Sequence, residues 1–472
     1  MTQKDFYKIV NYIKQIISGS EYENHVYSVG GAVRDLLMNN EIKDIDLVID
    51  LQDGGIRFVN WLYKLNLLTH EPVVYPTYGT AMCIFKDFPD IEIECVQTRK
   101  EQYKNKNSRN PETTYGTIFE DSIRRDLTIN SLYYNISSGE IIDPTGKGKE
   151  DILGHVIRVT NDNPDVVFID DPLRILRVCR FSTRYGWGIE HETYKSMVKN
   201  VDRLSIITHE RIRDEFQKIL LSKNATMGIR MLVDIGAMKY IIPEFIQTVG
   251  MTQNKFHFGD VYEHTLALID YYHNHFEPDV ICLLACLLHD IGKINTRTVG
   301  EDGRVHFYEH ENETELVENI LRNLKYDNET IKEVCFIIKN HMITKNFGND
   351  CVKIKPKNLN KLIYTCHTKE RYEKLCMVIE CDNMSHHPDY IVTGQYDYFM
   401  KQMDNKMFGY HLPINGNDIM SYLNIDGGKE IKFIMDKLIK QAFNNPDINK
   451  EQCLKQLPSL LKQVKNEMKN KN

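Results

Sequence analysis

The sequence predicts an α+β protein: a small mixed β-sheet with helices on one face, followed by a long helical remainder. Three observations predict it. Between Val26 and Val96, short β-type runs alternate with turns and one helical stretch. From Pro172 to the end the apolar period is that of a helix. Turn-forming residues cluster around Pro243, along Thr248–Gly259 and between Gly409 and Gly416, which read as boundaries. The 472 residues suffice for about three domains by size.

Taken in order, residues 5–18 have the apolar spacing of a short helix. Val26 to Asp50 reads as strand, Gly-Gly turn, helix and strand. Val73–Val74, Ala81–Phe85 and Ile91–Val96 add short strands. Lys100 to Asn110 is a polar loop. Residues 117–136 begin helical and end strand-like at Leu132–Ile136. No fixed-period repeat or low-complexity tract interrupts the chain.

Composition narrows the class. Hydrophobic residues make up 42% and charged residues 26%, which excludes collagen-like and disordered chains. The longest apolar run, Val280–Leu288, falls short of the ~18 residues of a membrane span and ends in His289 and Asp290. The N-terminus lacks a signal-peptide core. Eleven cysteines without a CxxC pair predict neither disulfides nor a zinc finger, and with them a cytoplasmic setting. The net charge of −7 leaves phosphate binding to local basic surface. Lys353, Lys355, Lys357 and Lys361, and Lys462, Lys465, Lys469 and Lys471, are either such surface or solvated charged faces.

The first chemical signal is Gly30-Gly31-Ala32-Val33-Arg34-Asp35, followed by Asp44-Ile45-Asp46. The glycines let backbone N–H groups approach a phosphate at a helix start. Arg34 can hold a phosphate or clamp Asp35. On a strand from Ile42 to Ile49, period two puts Asp44 and Asp46 on one face. Two adjacent carboxylates call for a cation, and hard oxygen ligands suit Mg²⁺. Glu94, in the alternating run Ile91-Glu92-Ile93-Glu94, supplies the third carboxylate. Three carboxylates around two metal ions suit nucleotidyl transfer.

Basic segments follow. Arg124, Arg125 and Asp126, with Asn130 four residues on, share a helical turn; the arginines neutralise triphosphate oxygens or form structural ion pairs. Asp170-Asp171-Pro172-Leu173-Arg174 opens a helix running through Arg177, Arg180 and Arg184. Asp170 or Asp171 caps the helix, or Asp171 and Arg174, three apart on one face, read a base edge. The arginine stripe needs anionic partners, and RNA or triphosphate fits.

These motifs, in this order, resemble the class II tRNA nucleotidyltransferases and the kindred bacterial poly(A) polymerases. The resemblance rests on GGAVRD with the DID pair, IEIECVQTR, RRDLTINSL, DDPLRILRVCRFSTRYGW, and HERIRDEFQKIL with Glu210 and Arg211; it covers about half of the chain. It implies a polymerase-β-like nucleotidyltransferase head, two Mg²⁺ at Asp44, Asp46 and Glu94, and nucleotide contacts from Gly30, Gly31, Arg34, Arg124, Arg125, Asp126, Asn130, Arg177 and Arg180. Asp171 and Arg174 then serve as a protein template for CTP and ATP, and the acceptor is the tRNA 3′ end. Relatives often begin the base-selecting motif with Glu-Asp, where this chain has Asp170-Asp171. A flexible specificity loop is expected within residues 51–90.

His264, His289-Asp290, His310, His341 and Asp382 resemble the ligand set of HD-domain phosphohydrolases, which implies Mn²⁺, Ni²⁺, Fe²⁺ or Mg²⁺ there. His257, His306, His386 and His387 are left outside it. Gly427-Gly428-Lys429 either binds phosphate or caps a helix. The resulting division is residues 1–145 as catalytic head, 146–245 as helical neck, 246–405 as HD-type domain and 406–472 as helical tail. Three alternatives stay open: poly(A) addition, partial CC- or A-addition, and an HD phosphohydrolase whose N-terminal half only binds nucleotides.

Overall fold

A computed structural model describes residues 1–76, 79–102, 112–253, 259–343 and 354–469. The polar residues 103–110, His257, Lys353 and Lys471 lie outside them. The chain separates into two compact units, Met1–Pro243 and Glu244–Asn472. Among the described residues no helix is long and apolar enough to cross a membrane.

The first unit opens with helix α1, Gln3–Ile17. A reciprocal cap between Thr2 and Asp5 starts it, and it buries Phe6, Ile9, Val10, Ile13 and Ile17 at spacings of three and four. The sheet follows: β1 Val26–Val29, α2 Gly31–Leu37, β2 Ile45–Ile49, α3 Gly54–Lys64, β3 Val73–Tyr75, β4 Thr80–Ile84, β5 Glu92–Gln97, β6 Arg99–Gln102 and β7 Glu112–Tyr115. Then come α4 Ile118–Ile123, β8 Tyr133–Asn135, β9 Ile141–Ile142, α5 Gly148–Gly154 and β10 Val156–Ile157. Seven strands pair in the order β3-β4-β5-β2-β1-β8-β9. Only β2 and β5 run parallel; the other pairs in this sheet are antiparallel. Gly55 lets α3 lie directly on β5, because a Cβ there would sit 2.7 Å from the Cys95 carbonyl oxygen.

Helices complete the unit: α6 Pro164–Asp170, α7 Leu173–Tyr185, strand β11 Gly188–Ile189, α8 His191–Asn200, α9 His209–Leu220 and α10 Ala225–Asp234.

The second unit begins with α11 Val261–His275, α12 Val280–Leu288, α13 Lys293–Thr296, β12 Arg297–Val299 and β13 Val305–Phe307. It continues through α14 Thr314–Asn323, α15 Asn328–Asn340, α16 Pro356–Cys366, α17 Lys369–Met384 and α18 Gln395–Met400. It ends with α19 Gly416–Leu423, α20 Lys429–Ala442 and α21 Lys450–Lys469. Helix α12 packs against α11, α15 and α17 and buries Cys282 through Leu288, so its run is apolar because it is enclosed, not because it meets lipid. Ile419, Ile434, Leu438, Leu457 and Leu460 form a separate core under the last three helices.

The α+β reading holds, with local corrections. Strand β2 starts at Ile45, so Asp44 stands just before it. The expected loop at 100–110 begins in a hairpin strand, since Arg99–Gln102 pairs with Glu112–Tyr115. The segment expected to carry a flexible loop, 51–90, holds α3, β3 and β4. The remainder after Pro172 is not purely helical: β10 pairs with β11, and β12 with β13. Both are two-stranded pairings of two or three residues, too short for period two to register.

Candidate functional site

The head site is built on the paired strands β2 and β5. Their register sets Asp46 directly beside Glu94, with Val29 of β1 on its other side. Ile45, Leu47, Ile93 and Cys95 point into the core, which turns Asp46 and Glu94 to the opposite face. Glu94 and Asp44 are exposed and Asp46 half-buried. Burial and then the Glu94 carboxylate push Asp46 up to about 6, Arg125 opposing and Asp44 adding. Carboxylates held this close, with Arg125 the opposing charge, are what a divalent ion relieves.

The Gly30-Gly31 turn leads into α2 between these strands and the neck. Gly30 sits at φ +73, a region that side chains avoid. A network of alternating charge lies around the turn. Arg34 donates twice to Asp35, at 3.0 and 2.8 Å, and once to Asn130 at 2.5 Å. Asn130 donates to Asp126 at 3.2 Å. Asp126 accepts from Arg177 of α7 at 2.8 Å, and Glu215 of α9 accepts from Arg180 at 3.1 Å. Arg34 thus clamps Asp35 and anchors Asn130, with Phe181 and Tyr185 of α7 stacked over its guanidinium at 5.3 and 5.6 Å.

Arg124 and Arg125 do not sit on a helical turn with Asn130, because α4 stops at Ile123. Thr160 Oγ1 lies 2.8 Å from the carbonyl oxygens of both Ile123 and Arg125, which satisfies the frayed end. Asp121 takes both guanidinium groups, at 2.6 and 2.9 Å. Arg125 also reaches the turn: its Nη1 lies 3.9 Å from where a Cβ on Gly30 would sit.

Helix α7 does not start on an Asp170 cap. Asp170 ends α6, and Asp171 bridges the two helices. Asp171 Oδ1 accepts from the Leu173 N–H at 3.1 Å, and Oδ2 pairs with Arg211 at 2.9 Å. Arg174 donates to the Arg124 carbonyl at 2.5 Å and to the Val167 carbonyl at 3.5 Å. Two arginines of the α7 stripe have anionic partners within the chain, Arg177 on Asp126 and Arg180 on Glu215.

The second cluster lies in the helical unit. His289 and Asp290 follow α12, His264 comes from α11, Asp382 from α17, and His310 and His341 from short 3₁₀ turns. All six are buried. Each ring turns Nδ1 to a backbone carbonyl: His264 to Ser385 at 3.2 Å, His289 to Cys286 at 2.9 Å, His310 to Phe307 at 2.9 Å and His341 to Ile338 at 2.6 Å. A carbonyl only accepts, so in each neutral ring the proton sits on Nδ1 and Nε2 carries the lone pair; burial lowers His289, but the Asp290 carboxylate outweighs it and raises that ring. Those lone pairs face other acceptors. His264 Nε2 is 3.1 Å from Asp382 and 3.3 Å from His289 Nε2; His289 Nε2 is 3.1 Å, and His310 Nε2 3.0 Å, from Asp290. His341 Nε2 is buried without a hydrogen-bond partner, and burial drops this imidazole to about 3. Acceptor against acceptor at these distances fits a cation at their centre. The triads His264, His289, Asp290 and Asp290, His310, His341 each gather one donor atom per residue within 4.8 Å.

Four participants escaped the sequence reading. Asp121 and Glu215 lie one helical turn from basic residues and look like ordinary helix pairs. Lys293, three residues after Asp290, places Nζ 2.6 Å from its carboxylate and 2.6 Å from Gln253. His386, four residues after Asp382, stands 3.9 Å from that carboxylate. Spacings of three and four from a ligand were the available signal for the last two. Lys355, Lys357, Lys361, Lys462 and Lys465 are exposed. At Gly428 the Glu430 carboxylate comes within 2.5 Å of a would-be Cβ, which sets a negative charge at that helix start.

Three segments of the chain match known protein families. Residues 26–158 match the poly A polymerase head domain, 186–248 the probable RNA and SrmB-binding site of polymerase A, and 257–363 the HD domain. The chain is 33% identical over 306 residues to a multifunctional CCA protein of Actinobacillus pleuropneumoniae, covering 61% of this chain and 67% of that one. It is 35% identical over 251 residues to a tRNA nucleotidyltransferase of Schizosaccharomyces pombe, 50% of this chain but only 49% of the yeast protein's length. The fold is that of the Bacillus stearothermophilus CCA-adding enzyme solved in complex with CTP, at TM-score 0.69 and 20% identity over 99% of this chain and 98% of that one. A polymerase head, an RNA-binding segment and an HD domain in this order, with a relative matched over two thirds of its length, place the chain in the tRNA nucleotidyltransferase and poly(A) polymerase family.

Proposed function

We propose that the protein adds C, C and A from CTP and ATP to the 3′ end of tRNA without a nucleic-acid template. One observation carries this reading: Asp46 and Glu94 face each other on adjacent parallel strands, with Asp44 beside them and a glycine turn at the strand end. Asp44, Asp46 and Glu94 would hold two Mg²⁺, which when bound lower the pKa of the attacking 3′-hydroxyl and shield the leaving pyrophosphate. The glycine turn offers N–H groups to the triphosphate. Arg125 adds positive charge beside it, held in aim by Asp121. Arg34, Asn130, Asp126 and Arg177 position the turn against α7 through their mutual bonds, and Arg180 ties α7 to Glu215 of α9. Asp171 and Arg174 present an acceptor and a donor to the incoming base, each fixed by its own neighbours. The 186–248 segment and the helices around it hold the acceptor stem through its phosphates and shape. The four-part division at 145, 245 and 405 is part of the proposal. So is a cytoplasmic setting, which fits the free cysteines among the described residues.

The test is incubation of labelled CTP and ATP with tRNA lacking its terminal nucleotides. Incorporation of C, C and A followed by arrest is expected. A long A tract identifies poly(A) addition, and C alone or A alone a partial enzyme. Asp46→Ala should abolish incorporation. Arg174→Ala should blur CTP against ATP, and unchanged discrimination would count against the template role.

A second reading is favoured by the facing Nε2 lone pairs and carboxylates of the histidine cluster. His264, His289, Asp290, His310, His341 and Asp382 would hold Mn²⁺, Ni²⁺, Fe²⁺ or Mg²⁺ for hydrolysis of phosphate esters, including 2′,3′-cyclic phosphates at tRNA ends. A divalent ion there activates water and polarises the phosphoryl oxygen. Lys293 stands beside Asp290 to neutralise an anionic substrate. Purified protein without metal-stimulated hydrolysis of cyclic phosphates, phosphomonoesters or nucleotides would remove this reading.

A further inference from the structure

We propose that the helical unit carries an additional ligand site, a cavity that binds the ammonium group of a small alkylamine. It is a cleft of about 300 Å³ bounded by the end of α11, the middle of α17 and the start of α18. Four of its walls are aromatic: Tyr271, His275, Phe276 and Tyr396. Its charged walls are the carboxylates Glu380 and Asp397, and no lysine or arginine lines it. The Tyr271 and His275 rings stack with centroids 3.8 Å apart, and Phe276 meets Tyr396 edge-on at 5.1 Å. The ring faces not taken up by this stacking attract cations through their quadrupole, and flanking carboxylates reinforce the attraction.

A second observation points to a donor-bearing ligand. Glu380 is 7% exposed; its carboxylate meets the Tyr396 N–H and the Asn383 side chain, while its Oε2 is buried with no hydrogen-bond partner. Buried oxygen acceptors without donors are rare in folded proteins and are ordinarily met by water, an ion or a ligand. A primary ammonium brings positive charge for the rings and carboxylates and three N–H donors for the acceptors. A phosphate or carboxylate ligand would meet Glu380 and Asp397 with like charge. The volume, at the lower limit of small-molecule pockets, suits an amine of a few carbons. The cleft is distinct from the histidine cluster: Glu380 and Asp382 are two apart on α17, on nearly opposite sides of the helix.

Titration calorimetry on the full chain, using n-butylammonium as the probe, tests the site. Saturable one-to-one binding is expected, with tetramethylammonium weaker because it has no N–H donor and neutral 1-butanol weaker still. Glu380→Gln, which keeps the shape and removes the charge, should weaken binding by about tenfold or more. Tyr396→Leu should weaken it comparably, with Mn²⁺ binding at the histidine cluster unchanged in both variants. No saturable binding to the wild type, equal binding of 1-butanol, or unchanged affinity in folded Glu380→Gln would each overturn the proposal. If Glu380→Gln does not fold, Tyr396→Leu together with Asp397→Asn decides by the same criterion.

Discussion

Asp121 is fully buried, yet it accepts hydrogen bonds from two guanidinium groups and from the Tyr133 hydroxyl. Burial alone would raise its pKa, but Arg125 and Arg124 hold it far below the usual carboxylate range. Removing the carboxylate strands two partly buried cations, so Asp121→Ala should cost about 3–5 kcal/mol in denaturant-unfolding stability. A pH series gives the matching check. Folding lowers this pKa, so the stabilisation is present above the unfolded Asp value of about 3.9 and is lost as acid protonates the folded carboxylate. Asp121→Asn should therefore show a shallower loss of stability between neutral pH and acid; an unchanged slope would show that Asp121 is not the anchor. This residue illustrates what sequence reading leaves hidden. Arg124 and Arg125 were visible as a motif, but their partner lay in an ordinary-looking helix, and neither ion-pair geometry nor burial can be read from spacing alone. The histidine cluster was more legible, because its ligands are chemically rare and the apolar run before His289 announces burial.

At the scale of elements, the active strands depend on what presses against them. Helix α3 rests on β5 through Gly55, where a Cβ would lie 2.7 Å from the Cys95 carbonyl oxygen and 2.8 Å from the Val96 Cα. Both are backbone atoms, which cannot swing aside as a side chain can. Gly55→Ala should force α3 outward or tilt β5, costing about 1–3 kcal/mol of stability. Because β5 carries Glu94, the same change should weaken nucleotide incorporation more than binding of alkylamine in the other unit. Strand β5 was legible because buried and exposed residues alternate, and β1 and β2 because short apolar runs end at turn residues. The α6–α7 junction was not. Asp170-Asp171-Pro172 has the composition of a helix start, but the preceding helix begins on Asn163 and Pro164 and runs into it. The arginine stripe on α7 was legible as a stripe; its partners Asp126 and Glu215 come from elements 51 and 35 residues away, and only the tertiary fold brings them there.

Across the whole molecule, two carboxylate-bearing centres lie in different compact units, Asp44, Asp46 and Glu94 in the first and the four histidines with Asp290 and Asp382 in the second. They differ in how much of their folding energy a metal ion supplies. The head trio is partly exposed, and water screens its repulsion. The histidine cluster is buried on all sides, its nearest acceptor pairs 3.0–3.3 Å apart. There an ion removes repulsion that water cannot reach. A ligand that binds only the folded state stabilises it by about 2.7 kcal/mol at a hundred times its dissociation constant. Thermal unfolding followed with and without Mn²⁺ or Ni²⁺ should therefore show a metal-dependent rise in the transition of the second unit. His289→Ala should remove that rise, because its Nε2 lies between Asp290 and His264, and Asp46→Asn should leave it in place. The converse holds for catalysis: Asp46→Asn should abolish nucleotide addition to tRNA, and His289→Ala should retain it while losing metal-stimulated phosphate hydrolysis. A metal-induced shift that survives His289→Ala would place the stabilising ion elsewhere. A loss of both activities in either single variant would mean that the two centres are coupled, contrary to the separation of their ligands between the units.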